Sequence, residues 1–93
     1  MPVGLVDSTR PTWVIFTTRY CASCGPVADE LAAAFPGDAV VTLDVADHPD
    51  LARELSVRRA PTVFGVDRLG DVTRRLVGAD AVRSHLRARA LVS

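Results

Sequence analysis

The pair Cys21 and Cys24, with Ala22 and Ser23 between them, constrains this chain more than any other feature. It follows a compact apolar run, Trp13-Val14-Ile15-Phe16, and precedes a stretch whose apolar residues recur with helical spacing. A Cys-x-x-Cys pair therefore stands where a buried strand hands over to a helix N-terminus. Four readings fit such a pair: dithiol redox chemistry, half of a zinc site, a structural disulfide, or two unrelated small apolar residues.

The helix end gives the redox reading a physical basis. Unpaired backbone N–H groups and the positive end of the helix dipole favour a thiolate over a thiol. At up to ~2 kcal/mol, that field lowers a thiol pKa by roughly 1 to 1.5 units. The resulting gain in thiolate decides whether the pair attacks a disulfide at a useful rate.

Ninety-three residues predict one domain, 1–93, with an N-terminal segment over 1–11 and a core over 12–92. The formal net charge is zero, so nothing global points to nucleic acid or an anionic membrane. All eleven cationic residues are Arg, which excludes lysine chemistry. The opening Met1 to Asp7 lacks the basic and apolar regions of a signal peptide, and no apolar run approaches a membrane span. The expected setting is therefore the cytoplasm, where two cysteines point to catalysis or metal binding rather than a permanent staple.

Taken in order, Val3 to Val6 can pair as a short edge strand, and Ser8 to Pro11 reads as a turn. Trp13 to Thr18 fits a strand covered on both faces. From about Cys24 to Phe35, Val27, Leu31, Ala34 and Phe35 form one apolar stripe, so an amphipathic helix is predicted, stopped by Pro36-Gly37. Val40 to Val45 is a strand. Asp47 or His48 caps a short helix with Pro49 in its first turn. Thr62 to Val66 and Val72 to Leu76 form a hairpin around Asp67-Arg68-Leu69-Gly70, and a last helix, capped by Ala79 or Asp80, follows Gly78. The predicted class is α/β, in the order β-α-β-α-β-β-α, with the first two strands parallel and the last two antiparallel.

From about Thr12 to Leu86 the chain resembles the thioredoxin family. The resemblance rests on Cys21-Ala22-Ser23-Cys24 at a helix start, Arg59-Ala60-Pro61-Thr62 in the place of the family's cis-proline loop, the following hairpin, and Val77-Gly78-Ala79 before the last helix. It implies a thioredoxin-like fold, a mixed sheet of four main strands flanked by three helices. It also implies a thiol–disulfide oxidoreductase, in which Cys21 attacks a substrate disulfide and Cys24 resolves the mixed disulfide. Pro61 would be cis after Ala60, and Tyr20, Ala60, Pro61 and Gly78 would contact the substrate. The implied partners are disulfide-bearing proteins and, as electron donor, a small thiol or a flavoprotein reductase. No bound cofactor or metal is needed, and the protein would act as a monomer or weak homodimer. A redox-sensing or binding module without turnover, and a dimeric metal binder, are the alternatives.

The chain also departs from the family pattern. Tyr20 replaces the usual Trp, and Ala-Ser stands between the cysteines. Ile15 occupies the place of a buried acid, and there is no room before Thr12 for the family's first strand and helix. Pro26 predicts a loosened first turn, with Ser23 as cap and regular helix starting nearer Cys24 to Val27. Ser23 has a second available role, donation to the Cys21 sulfur. Arg19, Arg58 and Arg59 flank the expected active surface, either as ordinary solvated charges or as groups that lower the Cys21 pKa or favour acidic partner surfaces. His48 and His85, the only histidines, are expected on the surface.

Overall fold

The computed structural model describes residues 3–92; Met1, Pro2 and Ser93 of the expected domain lie outside the described residues. Strand β1 (Thr12–Thr17) is the centre of the molecule, because its apolar and β-branched residues are buried on both faces. Helix α1 (Cys24–Ala34) crosses over to β2 (Ala39–Asp44), which pairs parallel with β1. Helix α2 (Pro49–Glu54) leads to the hairpin β3 (Thr62–Val66) and β4 (Val72–Val77), and α3 (Ala79–Val92) closes the fold. The sheet order is β2-β1-β3-β4, with β3 antiparallel to both its neighbours. This is the mixed four-stranded sheet with three helices that the element pattern predicts.

Side chains alternate across the sheet with the period of two that strands impose. Trp13, Ile15 and Val63 face α1 and α3, where they pack on Val27, Leu31, Phe35 and Val82. Val14, Phe16, Phe64 and Val66 face the other way, against Leu43 and Ala52 of α2. Each fully buried Val, Leu, Ile or Phe contributes about 1.5–3 kcal/mol, so β1 alone is a large share of the core. The hairpin turn is held by Asp67, whose carboxylate accepts from Leu69 N and Asp71 N, with Gly70 in the left-handed region at φ 87°.

The N-terminal segment differs from the expected edge strand. Val3–Leu5 forms a single 3-10 turn, and Leu5 and Val6 pack beneath the Val14–Phe16 face. The reason lies in Asp7, whose carboxylate accepts from Thr9 N, the Thr9 hydroxyl and Arg10 Nε while its own N–H donates to Thr12 Oγ1. These bonds bend the chain across the sheet face rather than along the outer edge of β2. The start of α3 also differs from expectation. Gly78, at φ 89°, holds the cap position, and its carbonyl accepts from Val82 N.

Candidate active site

The end of the sheet where β1 stops gathers the residues that the sequence singles out. After Thr17 the chain turns, with Cys21 N donating to Thr18 O, and α1 begins at Cys24. Cys21 and Cys24 are joined by a disulfide with Cα atoms 5.5 Å apart. The two sulfurs are not equivalent. Cys21 is half-buried, whereas Cys24 is 5% exposed and sits on the inner face of α1 with Val27. Only Cys21 is placed to meet a large partner.

Pro26 is accommodated at no cost in helix bonds. The first intrahelical bond runs from Val27 N to Ser23 O, so Pro26 falls among the first-turn positions whose N–H would have no partner anyway. Ser23 occupies the cap position, but its side chain makes no capping bond. Its hydroxyl lies 3.7 Å from Cys21 Sγ instead, so of the two roles open to Ser23 the structure takes the contact with sulfur. Tyr20, 88% exposed, forms a bare aromatic shoulder beside Cys21.

The second wall comes from the start of β3. Phe16 pairs with Thr62, so the loop ending in Ala60-Pro61 leaves the sheet beside the loop that carries the cysteines. The Ala60–Pro61 peptide is cis, Pro61 is buried, and Ala60 is half-buried. Thr62 Oγ1 donates to Arg59 O at 2.6 Å, and Gly78 N donates to Pro61 O at 2.8 Å, which ties the end of β4 to the same loop. Cys21, Cys24, Tyr20, Ala60, Pro61 and Gly78 therefore share one pole of the molecule. Arg19, Arg58 and Arg59 are exposed around it, without an ion pair among the described residues.

Behind the disulfide the core is apolar. Ile15 is fully buried, and among the described residues the buried polar side chains are Thr12 and Thr62, so no buried carboxylate stands behind Cys24. Among the described residues no three His, Cys, Asp or Glu side chains gather as metal ligands. His48 holds the cap position of α2, and His85 packs against Trp13 and Phe35.

One residue at mid-sheet, paired with Phe64, is invisible in the sequence pattern. Arg75, on the outer strand β4, reaches past Phe64 to the carbonyls of Leu55 and Ser56 at the end of α2. No local motif marks it, because its partners lie about twenty positions upstream.

No family model matches the chain. The chain is similar to the mitochondrial thioredoxin of Mus musculus, 36% identical over 78 residues, covering 80% of this chain and 46% of that protein. It thus spans about half the length of that relative. It is also similar to the thioredoxin of Chlorobaculum thiosulfatiphilum, 32% identical over 79 residues, covering 81% of this chain and 72% of that one. Among solved structures, a crystal structure of a thioredoxin from Nicotiana alata superposes with a TM-score of 0.69 at 27% identity, covering 88% of this chain and 71% of that one.

Proposed function

The chain belongs to the thioredoxin family, and from that premise we propose that it is a thiol–disulfide oxidoreductase that reduces disulfides of other proteins. The observation that carries the proposal is the asymmetric pair: a half-buried Cys21 bonded to a buried Cys24, beside the Ala60-Pro61 loop.

In the reduced protein the Cys21 thiolate attacks one sulfur of the substrate disulfide. The substrate S–S bond breaks, one substrate thiolate leaves and takes a proton, and Cys21 is held in a mixed disulfide. Cys24 then loses its proton and attacks the Cys21 sulfur. The mixed disulfide breaks, the second substrate thiolate leaves, and the Cys21–Cys24 bond seen in the structure forms. Two electrons pass to the substrate. They are restored by a small thiol or a flavoprotein thioredoxin reductase in a reducing compartment, with no cofactor bound to this chain. The free backbone of Ala60 receives an extended substrate segment, and Pro61, lacking an N–H, offers the approaching sulfur no backbone donor. Tyr20 and Gly78 widen the contact on either side.

A second reading has one observation in its favour. Because no buried acid stands behind Cys24 to take its proton, the resolving step depends on water or substrate, as suits a sensor that stays in its mixed disulfide. The test is insulin reduction with dithiothreitol, followed by turbidity, for the wild type and for Cys21→Ser. The expected result is turnover in the wild type and its loss in the variant. A pair that is readily reduced but does not turn over insulin would instead support the sensor.

A further inference from the structure

An arginine on an edge strand is ordinarily a solvated charge. Arg75 is exposed, but its guanidinium is engaged. Its guanidinium carbon lies 5.3 Å from the centre of the Phe64 ring, and its two terminal nitrogens donate to Leu55 O and to Ser56 O, the latter at 2.8 Å. Those carbonyls belong to the end of α2, which closes with Val57 N on Ala52 O and Ser56 N on Arg53 O. Such an ending needs a left-handed residue at the first position past the helix, normally Gly. Here it is Ser56, at φ 56°. The helix end therefore holds a conformation that its own sequence does not favour, and it presents two outward carbonyls to a planar fork of donors.

The residues that follow Ser56 are Val57-Arg58-Arg59-Ala60-Pro61, the run that delivers the loop beside the disulfide. That run is tied down at its far end by Gly78 N on Pro61 O and by Thr62 Oγ1 on Arg59 O. At its near end the tie is Arg75. We propose that Arg75 is a positioning residue, fixing the start of the 56–61 loop so that the backbone at Ala60 is set for a substrate segment. The role is to reduce the conformational freedom that a protein substrate would otherwise have to remove on binding. The inference rests on the reading of Ala60-Pro61 as the substrate-receiving loop.

The test is the steady-state kinetics of insulin reduction for Arg75→Gln, Arg75→Lys and Ser56→Gly, with unfolding midpoints measured beside them. Arg75→Gln raises KM about fivefold while kcat stays within about twofold, the pattern of lost binding rather than lost chemistry. Arg75→Lys restores little, because a point charge does not span two carbonyls as a planar fork does. Ser56→Gly, which suits the left-handed position, raises the unfolding midpoint and so reads the stability of the helix end by itself. If the Arg75 variants lower the midpoint but leave KM unchanged, Arg75 is a helix-end tie and no more, and the proposal falls while the redox reading stands. A wild type that reduces no insulin at all overturns both.

Discussion

Ser23 illustrates what a residue's neighbours decide and its position in the sequence does not. A serine directly before a helix is expected to cap it. Here α1 starts without that bond, and the hydroxyl faces the Cys21 sulfur at 3.7 Å. Once the disulfide is reduced, an O–H at that distance can donate to the thiolate, a charge-assisted bond stronger than a neutral one. Ser23→Ala should therefore slow iodoacetamide alkylation of Cys21 in the reduced protein at neutral pH by about three- to tenfold, since only the thiolate reacts. An unchanged rate would mean that the hydroxyl turns to solvent when the sulfurs part. The cysteines were legible in the sequence from the strand-to-helix handover around them, and Pro61 and Gly78 through the resemblance to the thioredoxin family. The direction taken by the Ser23 side chain was not, and neither was the reach of Arg75, which joins positions about twenty apart.

At the scale of elements, the helix after the cysteines turns on Pro26. The sequence predicts a loosened first turn with the regular helix starting nearer Cys24 to Val27, and α1 does begin at Cys24. The disturbance is absent because a proline at the third helical position lacks a donor that the helix would leave unused. A consequence follows for stability. Deep in a helix, replacing proline by alanine would stabilise by about 3 kcal/mol. At this position Pro26→Ala should instead destabilise by about 0.4–1 kcal/mol, because it returns freedom to the unfolded chain. Urea titration distinguishes the two outcomes by the sign of the shift in midpoint. The N-terminal segment marks the limit of reading elements from composition. Val3 to Val6 suits a strand, but the bonds around Asp7 override that preference and bend the chain over the sheet.

Across the whole molecule, two of the three strand pairings were legible, because a helical crossover fixes one parallel pair and a short turn fixes one antiparallel pair. What no pattern revealed is the cluster at the pole away from the disulfide. There the Trp13 and Phe35 rings lie 4.9 Å apart, His85 stands 6.0 Å from Trp13, and Arg89 lies over Phe35. Trp13 Nε1 donates to Asp38, whose carboxylate is thereby engaged on the adjoining turn. Partial burial, with the charges of Arg74 and Arg89 beside it, lowers the His85 pKa below its ordinary value of 6.5. The sign follows from linkage. A histidine whose folded pKa lies below its unfolded one favours the fold while neutral, so its contribution is complete above pH ~6.5 and is lost as pH falls through the folded pKa. Because the site is open to solvent the effect is small, about 1–3 °C in unfolding midpoint between pH 7.5 and 5.5. His85→Gln, which cannot take the proton, should flatten that slope in calorimetric scans at several pH values. An equal slope in both proteins would place the pH response elsewhere. Trp13 lies near the start of β1 and Phe35 caps the C-terminal end of α1, whereas the disulfide lies past the other end of that strand and at the other end of that helix. The insulin-reduction rates of wild type and His85→Gln should accordingly follow one pH profile even where their unfolding midpoints diverge.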